Sequence, residues 1–500
     1  MQSESKVLLK QNVWGQSSEL LGFTTNVISN IIFPIILGSF AFGLLSIVLG
    51  FAYLVAGLIS VGITNVAMLF VSKFTVRSQK KSAAFISYLF RIILVLSFLV
   101  AIMFIVFSDQ LALIYMQPSI STLFKLAALI ILARASFSLL ATIFIAIGDA
   151  KYHFYSTLVN SALLIVLPLF LFISFGMEGF ITGIGLAYLS ALIFAVIVLK
   201  NKKLLSSEQP PMPKGPVLKH AAVMTALSLK NYFSRLVLLL MLGLFATSAS
   251  AVAYFKVSMA WVSIVATLIP VSGSVIFASF VRMKEDSSKK LKYYLSRVLQ
   301  YSLILLLPSM LILTLLGGRL IKLIYVILGG FFSVSRPDYL GAVMPMSIMS
   351  FFIYFSFIDS ILYPVIASYK KLYELAKLNL FALLLSFIFS LYLIQNFGLL
   401  GAAVSYVLCA FLYFVTAIYV TYKFALKDIV KILGRYTKKP LLASIFMVLI
   451  VELFRATLFG FLGTLLLLFM SVFSYLLCLY FLRGIKYSDI KGLLNGLLGR

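Results

Sequence analysis

Acids and histidines are scarce in this chain. Its 500 residues hold only 14 Asp and Glu, two His and two Cys. Catalysis needs convergent acids, a histidine or a metal set, and the sequence assembles none of these. His153 and His220 stand at helix starts beside basic residues, and no cysteine has metal-ligand spacing. No phosphate-binding glycine loop and no paired carboxylates occur. The reading is a non-enzyme with no metal and no cofactor. Cys409 and Cys478 both lie inside apolar runs, where a thiol behaves as a small hydrophobe, so no disulfide is expected. A cleavable signal peptide is also not seen: Met1 to Gln16 is polar, and no small-residue cleavage site follows a short apolar core. The first helix is expected to act as the insertion signal.

What the chain does have is hydrocarbon. With 63% of residues apolar and 11% charged it is no ordinary soluble globule. A spanning helix needs about 20 mainly apolar residues, and about fourteen such stretches occur. They run Trp14 to Gly38, Phe40 to Ser72, Ala83 to Phe107, Ser119 to Ile147, Tyr152 to Phe175, Phe180 to Leu199 and Ala221 to Phe245. The series continues with Val252 to Val281, Tyr293 to Leu316, Ala342 to Ala367, Leu372 to Ile394, Leu399 to Tyr422, Leu441 to Gly460 and Leu462 to Leu482.

Charge tests this parsing. Lys and Arg number 41, a net charge of +27, which in a soluble protein would point to nucleic acid. Here topology accounts for it, because basic loops are retained on the cytoplasmic side. Alternate loops separate cleanly: one set carries about thirty of the 41 cations, while the opposite set holds only Arg319, Lys322 and Arg336. Both termini are therefore expected in the cytoplasm, with no nucleic-acid partner.

The halves repeat. Leu113-Ile114-Tyr115 matches Leu323-Ile324-Tyr325, and Lys151 and Asn160 match Lys370 and Asn379. Phe175-Gly176-Met177-Glu178-Gly179 matches Phe397-Gly398-Leu399-Leu400-Gly401. Six helices per copy is an even number, so both copies face the same way across the membrane. The expected organisation is an N-terminal lobe of six helices over residues 1–205, a cytoplasmic linker over 206–216 and a second lobe over 217–430. Residues 431–500 add two further helices and an amphipathic tail, Ile485 to Leu498. The linker holds Pro210-Pro211-Met212-Pro213 and Pro216, which cannot continue a helix.

Charges at membrane depth each ask for a reason, since one at the bilayer centre costs roughly 2.5 to 3.5 kcal/mol. Arg134 lies midway along the fourth stretch, Lys230 and Arg235 along the seventh, and Lys256 and Lys125 a little inside the outer ends of the eighth and fourth. Acids at depth are fewer: Glu19, Asp359 and Glu452, the last three residues before Arg455. Lys125 and Lys256 are short enough of the interface to snorkel, and Glu452 with Arg455 reads as a helix-surface pair. Arg134 and Arg235 are too deep for that. Guanidinium groups bind phosphate oxygens in bidentate fashion, so a wet cavity with surplus Arg and Lys suits a phosphate or pyrophosphate head group. A structural role, such as pairing with Asp359, stands beside that reading. The first helix, with Gln16, Glu19, Thr24, Asn26 and Asn30, is too polar for a lipid-facing surface and should line the cavity. Prolines within spans, among them Pro34, Pro168, Pro270, Pro308 and Pro364, are expected to kink their helices. Arg336-Pro337-Asp338 reads as a turn with a local ion pair.

Two parallel six-helix bundles, a polar first helix, the Phe-Gly-x-x-Gly turn and two appended helices resemble a known family. It is the polysaccharide-flippase branch of the multidrug, oligosaccharidyl-lipid and polysaccharide exporter superfamily. The resemblance covers the whole chain through diffuse motifs. It implies an all-α membrane protein whose lobes enclose a central cavity, and a polyprenyl-phosphate- or pyrophosphate-linked oligosaccharide as substrate. Arg134, Arg235, Lys230 and Lys256 would then bind the substrate, and Glu19 and Asp359 are the acids available for ion coupling. Lipid-linked oligosaccharide, membrane lipids and glycan-assembly enzymes are the partners so implied. The alternatives are a cation-coupled multidrug exporter of the same superfamily and, less favoured, a membrane glycosyltransferase or polymerase. The longest external loop, about Gly317 to Leu340, leaves no room for a glycosyl-transfer site.

Overall fold

The computed structural model describes residues 2–206, 216–246, 248–267, 280, 287–331 and 339–484. Most of the linker, Pro270, the Arg336-Pro337-Asp338 turn and the tail from Ile485 lie outside the described residues. Every regular element among the described residues is helical. In order these are α1 (Gln2–Arg77), α2 (Gln79–Val106), α3 (Ser108–Ile114), a 3-10 turn (Pro118–Ile120), α4 (Ser121–Ala146) and α5 (Ala150–Asn201). Next come α6 (Pro216–Tyr232), a π turn (Phe233–Val237), α7 (Leu238–Phe245) and α8 (Ala249–Thr267). The chain continues with α9 (Ser288–Phe331), a 3-10 turn (Leu340–Ala342), α10 (Val343–Met349), α11 (Phe351–Ser368), α12 (Leu372–Phe424), α13 (Ile429–Arg455) and α14 (Gly460–Phe481).

Ten helical stretches among the described residues are long and apolar enough to cross a membrane. Three of them are double. α1 breaks at Gly38, α5 at Gly176 and α12 at Gly398, each of which holds a positive φ inside an otherwise continuous helix. Counted with the double helices split, these make thirteen apolar helices where about fourteen were expected, and α13, basic in its first half and apolar in its second, lies where the remaining one was placed.

The two Phe-Gly-x-x-Gly turns are built alike. Gly176 has φ 58° and ψ −141°, and Gly398 has φ 52° and ψ −125°, a backbone region that side chains with a Cβ avoid. The second glycine has a different task. A Cβ on Gly179 would lie 2.1 Å from the carbonyl oxygen of Leu171, and one on Gly401 would lie 1.9 Å from that of Leu393. Both obstacles stand eight residues earlier, so the same close crossing of two helices is made twice.

The chain divides into two compact units, Met1–Lys256 and Val257–Arg500, with the division inside α8. In the first, α4 is the central helix, packed on α1, α2, α3 and α5. Its run from Ala127 to Leu140, rich in Ala, Ile and Leu, buries most of its side chains. Small residues matter here, because helices inside a bilayer associate by close packing, without a hydrophobic driving force between them. Gly185 of α5 illustrates this: a Cβ there would come within 2.8 Å of the Leu129 side chain. At the start of the chain Trp14 packs on Phe154 and Tyr155 of α5, with ring centroids 5.1 and 5.9 Å apart.

In the second unit, α9, α13 and α14 share a core of Ile304, Leu316, Met447, Val451, Leu467, Tyr475 and Leu479. Polar bonds reinforce it at three levels along α9. Gln300 Nε2 donates to the Gly484 carbonyl at 3.4 Å, Tyr475 Oη donates to the Ile304 carbonyl at 2.7 Å, and the Arg319 guanidinium donates to the carbonyls of Arg455 and Leu458. The last of these satisfies carbonyls that the C-terminus of α13 leaves without helical partners.

Candidate functional site

Arg134 sits in the buried central helix of the first unit, on a stretch of alanines and isoleucines that positions it rigidly. Its guanidinium carbon lies 4.0 Å from the centroid of the Tyr53 ring and 5.8 Å from that of Tyr188. The two rings meet edge to face at 6.4 Å. Nη1 reaches the Tyr53 carbonyl at 3.4 Å, a long contact. Stacking uses the flat face of the guanidinium and leaves its edge, where the N–H donors lie, available. Three helices contribute: Tyr53 from the second arm of α1, Arg134 from α4 and Tyr188 from the second arm of α5.

Arg235 is placed differently. It lies in the middle of the five-residue π turn, whose wider ring is closed by the Leu238 N–H on the Phe233 carbonyl, and its side chain is exposed. Single π turns inside α-helices cluster at functional positions because they re-aim side chains. Lys230, half-buried, is in the last turn of α6 just before it. Lys256, also half-buried, is in α8 and feels the charges of both Arg235 and Arg134.

Lys256 thus lies within electrostatic reach of both Arg134 and Arg235. Among the described residues no carboxylate pairs with any of the three. Like charges held near one another raise the free energy of the site. An anion entering among them relieves that repulsion.

Some other charged residues have carboxylate or cation partners. Lys125 pairs with Asp109 of α3 at 3.2 Å, and Asp109 also accepts from Ser121. Arg455 bonds Glu452 at 2.9 Å on the surface of α13, as expected. Asp109 is held below its ordinary value of 3.8, first by the Ser121 hydrogen bond and then by Lys125. Asp428, between α12 and α13, is depressed in the same way by Lys292 and then Lys431.

Glu19 is exposed on α1, as are Gln16 and Asn26. At helical spacing these three share one face, so a polar stripe is left open on a helix that is otherwise apolar. Thr24, Thr25 and Ser18 instead turn their hydroxyls onto carbonyls four residues back. Asp359 belongs to the second unit, where it is buried at 6% exposure and lies in electrostatic reach of Tyr363 and Tyr413. α12 also carries buried polar groups: Asn379, which accepts from Thr416 at 2.7 Å, and Ser386 and Ser390. Cys409 and Cys478 are free thiols.

Sequence reasoning missed Tyr53, Tyr188 and the π turn. The first two are ordinary intramembrane tyrosines in the sequence, and nothing in their local spacing announces a partner on another helix.

A polytopic α-helical membrane protein is the class this fold defines. Residues 32–327 match the model of the family described as polysaccharide biosynthesis protein. That is more than half of the chain, and the protein belongs to this family. No curated protein sequence matches it. Among solved structures it is similar to the lipid II flippase MurJ in an inward closed conformation, at 15% identity and a TM-score of 0.70, covering 98% of this chain and 100% of that one. It is also similar to an inward-facing multidrug resistance MATE family transporter of the MOP superfamily, at 14% identity and a TM-score of 0.63, with coverage of 84% and 96%. A third likeness is to the Vibrio cholerae MATE transporter VcmN in its bent form, at 14% identity and a TM-score of 0.53, with coverage of 85% and 98%. At such identities the likeness speaks for the fold.

Proposed function

We propose that the protein flips a polyprenyl-phosphate- or pyrophosphate-linked oligosaccharide across the cytoplasmic membrane by alternating access, for the assembly of surface polysaccharide. Membership of a polysaccharide biosynthesis family supports the substrate class, and likeness to a lipid II flippase supports the mode of action. The observation that carries the reading is the Arg134 site. Its guanidinium is stacked on Tyr53 at 4.0 Å, shares its surroundings with Arg235 and Lys256, and has no carboxylate partner among the described residues. A head group bearing phosphate supplies the missing anion, and the open N–H edge of a stacked guanidinium suits bidentate binding. Lys230 would add to the same field.

In this reading residues 1–205 and 217–430 act as two lobes joined by the 206–216 linker, with both termini cytoplasmic. The polar stripe of Gln16, Glu19 and Asn26 faces water, since an exposed polar face is not stable against lipid. The sugars and phosphate cross through that aqueous path while the polyprenyl tail remains in lipid. Glycan-assembly enzymes would deliver and receive the substrate.

The test is glycan export in cells carrying Arg134→Ala with Arg235→Ala. Export should be abolished while membrane insertion is retained; unimpaired export removes the reading. The exposed Glu19 and buried Asp359 favour a second reading, cation-coupled export of drugs. Resistance gained by a drug-sensitive strain on expression, and lost with Glu19→Gln or Asp359→Asn, would establish it instead.

A further inference from the structure

The second arm of α1 carries glycines at seven-residue intervals, Gly43, Gly50 and Gly57, which places all three on one helix face. Each is pressed against a single neighbouring stretch. A Cβ on Gly43 would lie 1.9 Å from the Ala249 carbonyl oxygen, one on Gly50 would lie 3.2 Å from Leu239, and one on Gly57 would lie 2.2 Å from Cε1 of Tyr232. Gly62 follows, 3.2 Å from Thr225. The partner numbers fall as the glycine numbers rise, so this is one antiparallel seam between α1 and the run from α6 to α8.

Two positions on the seam differ in kind. The obstacle at Gly43 is backbone, whereas the obstacle at Gly57 is the outer edge of a phenol ring, its Cζ and Oη included. A ring edge can be displaced by rotation. A helix backbone cannot. The location of that ring adds chemistry. Tyr53, on which Arg134 stacks, lies one turn before Gly57 on the same side of α1, and Tyr232 feels the charge of Arg134. Tyr232 is also the last residue before the π turn that holds Arg235. A rearrangement of that turn therefore carries Tyr232 and Arg235 together.

We propose that Tyr232 is a positioning residue of the Arg134 site: its ring, seated on the bare backbone of Gly57, closes the side of the site toward α6 and leaves that seat when an anionic head group enters or departs. This rests on the reading of Arg134 as a phosphate-binding group. It names a residue outside the cation set and gives Gly57 a reason to lack a side chain. Filling the seat with a methyl group and removing the ring should have the same consequence, because each breaks the same contact.

The experiment uses the purified full-length protein in detergent and radiolabelled farnesyl pyrophosphate as probe, with the rate of probe release as readout. Wild type should bind and Arg134→Ala should not. Gly57→Ala and Tyr232→Ala should each speed release on the order of tenfold, and the double variant should be no faster than either single one, the signature of one shared contact. Tyr232→Phe, which keeps the ring, should release more slowly than Tyr232→Ala. Gly43→Ala meets backbone instead of a ring, so its effect should multiply with that of Tyr232→Ala. Tyr232→Ala only trims a side chain, so it carries the test even where Gly57→Ala does not fold. Unchanged release in Tyr232→Ala, or effects of Gly57→Ala and Tyr232→Ala that multiply, would overturn the assignment while Arg134 binding stands. Probe binding equal in wild type and Arg134→Ala would remove the phosphate reading and, with it, the seat.

Discussion

The Tyr475 hydroxyl donates at 2.7 Å to the Ile304 carbonyl, four residues before Pro308. Proline has no N–H, so that carbonyl has lost its helical donor, and a side chain from α14 replaces it. Tyr475 is buried, at 3% exposure. Replacing it by Phe strands a buried acceptor, which costs roughly 1 to 3 kcal/mol. Tyr475→Phe should lower the thermal midpoint of the detergent-solubilised protein without changing its helical content by circular dichroism. An unchanged midpoint would mean that water or a shift of α9 satisfies the carbonyl.

Arg134 should not tolerate lysine. Lysine keeps the charge but has neither the planar face that stacks on Tyr53 nor the fork of N–H groups. Export by Arg134→Lys should therefore fall by roughly tenfold or more, close to the loss in Arg134→Ala. Tyr53→Leu should lie in the same range with the guanidinium intact. If Arg134→Lys exports normally, a point charge is all the site supplies.

Acid should loosen two surface pairs. Asp109 and Asp428 both have folded-state values below the ordinary 3.8. A depressed carboxyl contributes stability at neutral pH, and that contribution disappears as pH falls through the folded-state value. Between pH 7 and pH 3 the midpoint of wild type should fall further than that of Asp109→Asn combined with Asp428→Asn. Both pairs are exposed, so the difference should be small and should shrink in high salt.

The paired glycines should respond as pairs. Gly176→Ala and Gly398→Ala each force a Cβ into a backbone region that costs of order 1 to 3 kcal/mol. Gly179→Ala and Gly401→Ala each drive a methyl group into a carbonyl oxygen. Folded yield by fluorescence-detected size exclusion should drop for all four, and by similar amounts within each pair. A large drop in only one half would show that the repeat is geometric without being energetically equivalent.

The spans were legible because hydrocarbon thickness sets a length and composition that no loop shares. Breaks at Gly176 and Gly398 were legible because the Phe-Gly-x-x-Gly spacing repeats. The Gly38 break fell between two predicted stretches because each is about one bilayer thickness long. Arg134, Arg235 and Lys256 stood out as costly charges, and the structure puts Lys256 within reach of both arginines. Which surfaces met them was not legible: Tyr53 and Tyr188 are 81 and 54 positions from Arg134, and periodicity reports only the face of a helix, not what lies across from it. Lys125 shows the same limit. Read as a snorkelling cation, it has Asp109 as partner, an acid in a short helix that hydropathy treats as loop. The π turn leaves no mark at all, since its residues Phe-Ser-Arg-Leu-Val suit an α-helix equally well.

The bonds from Gln300, Ile304 and Arg319 to α13 and α14 prevent those helices from sliding along α9. A reporter group attached near Arg483 would thus be tied to α9 through the Gly484 carbonyl and would follow the position of that helix.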